Sequence, residues 1–179
     1  MKKKVTLVII FVTLLVILSI YYNNYCNSGN KTPLSSEGIV FGNASAKIKI
    51  YFFTSFSCNK CKQLSANLCE EIKSLLDNNE VQLIYKVTDD YVYKWSNDKF
   101  YDYDFITKGY ENWVTNALID NSDTLDTAEI EKRKIVKSTI EKEMESNDIE
   151  GVPVFFINDD KYNGLYSEEE IETILSKYK

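Results

Sequence analysis

Ile48-Lys49-Ile50-Tyr51-Phe52-Phe53-Thr54-Ser55-Phe56-Ser57-Cys58-Asn59-Lys60-Cys61 is the stretch on which the fold turns. From Lys47 to Phe53 it alternates and then becomes wholly apolar, as a central strand buried on both faces does. From Cys58 to Asn78 the apolar positions Cys61, Leu64, Leu68, Ile72 and Leu75/Leu76 recur every three and four residues, which predicts one amphipathic helix stopped by Asn78-Asn79. A buried strand therefore delivers the chain into a helix that carries two thiols on its first turn.

Two cysteines separated by two residues fall on neighbouring positions of a helical turn, close enough for a disulfide. Ser57 is available as N-cap, which places Cys58 at the helix start. A thiolate there is favoured by the unpaired N–H groups and the helix dipole, worth roughly 0.3–2 kcal/mol, and Lys60 adds a cationic neighbour. Cys58 is thus the expected exposed nucleophile. Cys61, one turn in and more shielded, is expected to resolve a mixed disulfide by intramolecular attack. The spacing also admits half of a zinc site or an inert structural bridge. Zinc would need two more ligands, yet the chain has no His, and its other cysteines, Cys26 and Cys69, are single. The same lack of His removes Ser-His-Asp and Cys-His nucleophile schemes, and neither a metal nor an organic cofactor is expected.

Working outward, Ile39 to Phe41 reads as a short opening strand and Val81 to Val87 as the next full strand. Cys69, on the helix but beyond disulfide reach of Cys58 or Cys61, reads as a core thiol. Residues 90–147 are helical and charge-rich. One apolar face there holds Phe105, Ile106, Tyr110, Trp113, Val114, Ala117 and Leu118; another holds Ile135, Val136, Ile140 and Met144, with Asp126 or Thr127 as its cap. The aromatic cluster from Tyr91 to Phe105 reads as the core of a small helical cap or as a substrate-facing surface. Gly151-Val152-Pro153 then leads into Val154-Phe155-Phe156-Ile157, and a proline is permitted at the front of a strand because that residue need not donate to the ladder. Asn158-Asp159-Asp160 is a turn, Lys161 to Leu165 an edge strand, and Ser167-Glu168-Glu169-Glu170 a capping box opening a last helix with Ile171, Ile174, Leu175 and Tyr178 as its stripe.

At the other end, Lys2, Lys3 and Lys4 precede an apolar run from Val5 to Ile20 closed by Tyr21 and Tyr22. Basic flank, apolar core and aromatic edge describe a membrane anchor or a signal peptide. Val5 to Tyr22 would reach roughly 27 Å as a helix. No A-x-A-like cleavage site follows, and Asn23-Asn24-Tyr25 before Cys26 is not a lipoprotein context, so the reading is an uncleaved anchor over 1–22, with cleavage as the alternative. The lysines stay cytoplasmic by the positive-inside tendency, which puts the rest of the chain on the far side. Residues 23–37, polar and containing Pro33, read as a flexible linker, in which Cys26 is an incidental thiol or an intermolecular bridge. The domain proper then spans 38–179. Of 21 basic residues three are those leader lysines, against 27 acidic ones, so the exported part is strongly acidic. That argues against nucleic acid and against adhesion to anionic lipid, and a domain of this size is expected to act as a monomer. Exported thiols live where disulfides persist.

Together these elements resemble the thioredoxin superfamily, and within it the DsbA-like thiol:disulfide oxidoreductases. The resemblance is carried by the stretch from Ile48 to Cys61 and by Gly151-Val152-Pro153-Val154-Phe155-Phe156-Ile157-Asn158, and it covers 38–179 in element order. It implies an α/β thioredoxin-like fold, a central mixed sheet flanked by helices, with a helical insertion over about 90–147. It further implies that Pro153 is cis, that Val152 and Pro153 face the Cys58 sulfur and bind substrate backbone, and that Cys58 and Cys61 cycle as a redox-active disulfide. The partners so implied are cysteine-containing exported proteins and a membrane protein that recharges the pair. Asn59-Lys60 stands where relatives carry Gly-Pro or Pro-His, and Phe52 where they often bury an acid. Dithiol oxidation is the expected direction; a reductase or isomerase using the same pair, or a non-catalytic binding or chaperone module, are the alternatives.

Overall fold

The computed structural model describes residues 13–19, 31–89 and 127–179. The chain divides into two units, Met1–Pro33 and Leu34–Lys179. In the first, 13–19 is helical, with Leu14 to Leu18 exposed. The remainder of the expected anchor, and Cys26, lie outside the described residues. Among the described residues no helix is long and apolar enough to cross a membrane.

In the second unit a five-stranded sheet comprises β1 (Ile39–Gly42), β2 (Ile48–Thr54), β3 (Val81–Val87), β4 (Val154–Ile157) and β5 (Asp160–Asn163), in the order β1-β3-β2-β4-β5. β2 and β3 are parallel, in register from Ile48↔Val81 to Thr54↔Val87, and the other pairings are antiparallel. A parallel pair needs a crossover, which α1 (Asn59–Asp77) supplies. Two further helices follow, α2 (Thr127–Ser146) and α3 (Glu168–Leu175). This is the expected mixed sheet with flanking helices. β5 begins one residue earlier and ends two residues earlier than the edge strand expected over Lys161 to Leu165, because Gly164 at φ +92° turns the chain away.

Successive side chains of a strand point to opposite faces, so β2 feeds two cores. Ile50 and Phe52 join Leu83, Tyr85, Phe155 and Ile157 beneath Leu64, Leu68 and Ile72 of α1 and Ile171 of α3. Tyr51 and Phe53 join Ile84, Val154, Phe156 and Ile149 beneath Ile140 of α2. Both faces are covered, which is why the strand reads as continuously apolar. Each fully buried Leu, Ile or Phe stabilises the domain by about 1.5–3 kcal/mol.

The helix ends follow local chemistry. α1 closes as a Schellman motif: Glu80 N–H donates to Leu75 O at 2.8 Å, Asn79 N–H to Leu76 O at 3.0 Å, and Asn79 takes φ 61°. α3 opens with the expected capping box between Ser167 and Glu170. In α2, Val136, Ile140 and Met144 lie along one stripe against the sheet, whereas Ile135, expected on that face, is 60% exposed. One residue is 100° of helical turn, and the stripe at 136, 140 and 144 leaves 135 at the side. Glu143 takes the adjoining inward position and meets Lys86 of β3 at 2.8 Å, both side chains almost fully buried. Lys86 Nζ also donates to Ser35 O at 2.8 Å, and Ser35 N–H to Glu143 Oε1 at 2.7 Å. That knot fastens the start of the domain to β3 and α2.

Of the expected helical insertion over 90–147, α2 is described. The first apolar face and the aromatic cluster lie outside the described residues.

Candidate active site

α1 begins one residue later than expected, and the displaced residue is Cys58. It is the N-cap rather than the first helical residue, at φ −92° and ψ 115°, and its Sγ accepts the Cys61 N–H at 3.2 Å. Ser57 was expected to cap. Its hydroxyl is instead engaged by Ser55 Oγ at 2.7 Å and by Asp89 Oδ1 at 3.1 Å, so the sulfur takes the orphan N–H of the first turn.

The two thiols are free and unequal. Cys58 is partly exposed, whereas Cys61 is fully buried. Burial, and next the hydrogen bond with Cys58, push the Cys61 thiol up to about 12, against the lowering influence of the Ser55 backbone and the Thr54 side chain. At neutral pH Cys61 therefore holds its proton. Asn59 and Lys60 are exposed on the first turn of α1.

The second expected half of the site meets the first in space. β4 pairs with β2, Val154 opposite Phe53, which sets the preceding loop beside the cysteine pair. The Val152–Pro153 peptide is cis, Pro153 is buried, and the Cys58 sulfur lies 3.9 Å from the Val152 carbonyl oxygen. A sulfur thus stands beside a backbone carbonyl where the inner strands β2 and β4 meet their connecting loops.

Sequence reasoning missed the carboxylate that braces this junction. Asp89, two residues beyond β3, accepts the Phe56 N–H at 2.7 Å through Oδ2, and Ser55 Oγ at 2.9 Å through Oδ1. The parallel pairing of β2 with β3 puts residues just past Val87 next to those just past Thr54, and an Asp at that point was the available signal. Phe52 is fully buried against Tyr85 with ring centroids 5.3 Å apart. Deeper along α1, Ser65 Oγ and Tyr85 OH are 2.6 Å apart, and Tyr85 OH is 3.4 Å from Cys69 Sγ. Cys69 is partly buried against the core, as a core thiol should be, and burial pushes it up to about 11.

Among the described residues no group of three or more Cys, Asp or Glu side chains could hold a metal ion. What the arrangement can do is pass between a dithiol and a disulfide, with Cys58 partly exposed to solvent and Cys61 buried.

The sequence profile of the family described as thioredoxin matches residues 34–177, while no curated protein matches the chain. Among solved structures, a periplasmic thioredoxin-like protein from Salmonella enterica serovar Typhimurium is similar at a TM-score of 0.57 and 15% identity, over 80% of this chain and 90% of that one. ScsC of Proteus mirabilis in a compact conformation is similar at 0.56 and 14%, over 93% and 90%. The thiol-disulfide exchange protein alpha-DsbA2 of Wolbachia pipientis is similar at 0.53 and 13%, over 78% and 86%. At such identities the likeness is one of fold. Profile, sheet order and neighbours agree that the chain belongs to the thioredoxin family.

Proposed function

We propose that the protein is an extracytoplasmic thiol:disulfide oxidoreductase that exchanges disulfides with cysteine-containing exported proteins through Cys58 and Cys61. The observation that carries this reading is the asymmetry of the pair: a partly exposed Cys58 sulfur 3.9 Å from the Val152 carbonyl, with a buried Cys61 behind it. The thiol-disulfide exchange named for the Wolbachia neighbour supports the reaction class, and the periplasmic location named for the Salmonella neighbour supports export. Val152 and Pro153 bind the substrate backbone, and Asn59-Lys60 forms the exposed edge of the pair. The basic and apolar run at the N-terminus supports a single-pass tether, with the domain acting as a monomer outside the cytoplasm and a membrane redox partner resetting the disulfide.

In the oxidising direction a substrate thiolate attacks Cys58 Sγ, the Cys58–Cys61 bond breaks, and its electron pair leaves on Cys61. The substrate's second thiolate then attacks the mixed disulfide and releases Cys58. Trapping tests this. Cys61→Ser should accumulate mixed disulfides through Cys58, identifiable by mass spectrometry, whereas Cys58→Ser should accumulate none. Absence of adducts from Cys61→Ser in exporting cells would sink the reading. Direction is read from the potential of the pair against glutathione: a value at or below about −270 mV would mark a reductant rather than an oxidant.

A further inference from the structure

Cys61 must carry charge at the moment its bond to Cys58 opens, yet it is fully buried, and Phe52, where the family resemblance would put a buried acid, is an apolar ring. The chain offers a different group. Thr54, the last residue of β2, is fully buried, and its Oγ1 is among the few buried side-chain oxygens with no hydrogen-bond partner among the described residues. An orphaned buried hydroxyl costs about 1–3 kcal/mol, so its retention needs a reason. Its main chain does not supply one, because the Thr54 carbonyl is already taken by Thr88, whose N–H and Oγ1 lie 2.9 and 3.1 Å away. Thr54 follows Phe52 by two residues along β2 and so faces the side of the sheet that α1 covers, and its side chain and the Ser55 backbone both favour the thiolate on Cys61.

We propose that Thr54 is a positioning residue for disulfide exchange, its hydroxyl donating a hydrogen bond to the negative charge that develops on Cys61 as the Cys58–Cys61 bond opens. The inference rests on the disulfide-exchange reading above and deepens it. The incoming thiolate forms its bond to Cys58 Sγ, the bond to Cys61 breaks, and the electron pair resides on Cys61 until solvent supplies a proton. A leaving thiolate departs faster the better it is stabilised. Thr54 does so without a charge of its own, so no second carboxylate titration accompanies the step. In the resting dithiol Cys61 is protonated, and the hydroxyl has little to bind. It acts on the rate of opening and not on the equilibrium.

That split is what the experiment reads. The full-length oxidised protein is mixed with reduced glutathione, and both the rate of disulfide opening and the final redox equilibrium are recorded for the parent, Thr54→Val and Thr54→Ser. Thr54→Val keeps the shape and loses the hydroxyl; opening should slow about tenfold, equivalent to about 1.4 kcal/mol, with the equilibrium unmoved. Thr54→Ser keeps the hydroxyl and should open within about threefold of the parent. If Thr54→Val opens as fast as the parent, or if Thr54→Ser is as slow as Thr54→Val, the inference is overturned while disulfide exchange stands. A shift in the equilibrium equal to the loss in rate would also overturn it, as packing alone would then account for the effect. A parent whose Cys58–Cys61 disulfide glutathione does not open would overturn the exchange reading itself.

Discussion

On one face of the sheet α1 and α3 press Leu64, Leu68, Ile72 and Ile171 onto Ile50, Phe52, Leu83 and Phe155. On the other, α2 brings Glu143 down onto Lys86 amid Tyr51, Phe53 and Phe156. The buried charged residues among those described are Lys86, Arg133 and Glu143, of β3 and α2; the face bearing the cysteine pair buries only neutral polar groups. A charge in the interior is tolerated where it is paired and hydrogen-bonded. The α2 face meets that condition with a permanent ion pair, while under the proposed exchange the α1 face would carry charge only transiently, on Cys61.

The strongest way to break this contrast is to unbalance the permanent pair. Lys86→Met leaves Glu143 buried without its cation and should cost about 3–5 kcal/mol in urea unfolding, whereas Lys86→Met with Glu143→Leu should recover most of it. Folded fractions of either variant should open their disulfide with glutathione at the parent's rate. A slowed exchange in the folded double variant would show that the two faces are coupled and the contrast is false.

The next test addresses the thiols of the α1 face. Cys61 and Cys69 sit at about 12 and about 11 in the folded chain, against an ordinary 9.0. Below pH 9 both are protonated in the folded and the unfolded chain, so stability is indifferent to pH on their account. Above it the unfolded chain releases protons that the folded chain retains, and the reduced protein should lose stability as pH rises from 9 toward 11 for Cys69 and 12 for Cys61, by up to about 1.4 kcal/mol per unit for each proton. Cys69→Ala should remove one part of that slope, and oxidation of the pair should remove the part due to Cys61. Measured denaturation midpoints across that range check it; equal slopes for reduced and oxidised protein would mean that Cys61 is not held protonated by burial.

The α1 face was the more legible of the two in the sequence, for the same reason that it is neutral. Leu64, Leu68, Ile72, Ile171 and Ile174 announce themselves by helical spacing, and Cys58, Cys61 and Pro153 by short motifs, so the elements follow from the chain itself, and the sheet and the pairing of the two site segments from the family resemblance those motifs carry. The α2 face hid its main feature. Lys86 and Glu143 are 57 residues apart and ordinary as charges; only the parallel register of β3 and the rotation of α2 make them neighbours, and the same rotation takes Ile135 out of the core. Asp89 escaped for a similar reason, because its partners Ser55, Phe56 and Ser57 belong to the end of another strand. The N-cap was assigned to Ser57 by residue type, but a tertiary carboxylate had a prior claim on that hydroxyl.

Asp89 gives the smallest predicted effect and the finest discrimination, since among the described residues it is the carboxylate hydrogen-bonded to Ser55, Phe56 and Ser57 beside the cysteine pair. If it is a brace, its geometry matters and its charge does not. Asp89→Asn keeps an oxygen for the Ser55 and Ser57 hydroxyls but presents an amide where the Phe56 N–H needs an acceptor, so one hydrogen bond to a partly exposed charged group is lost. The expected cost is about 1 kcal/mol of stability, with glutathione opening of the disulfide within about threefold of the parent, which is less than about 0.7 kcal/mol in the barrier. Exchange altered tenfold or more at unchanged stability would mean that the carboxylate acts on the sulfurs through its field, and that charge reaches the α1 face from its rim. The outcome bears on Thr54 as well. Only if Asp89 proves electrostatically silent does the burden of accommodating the Cys61 thiolate fall wholly on neutral donors.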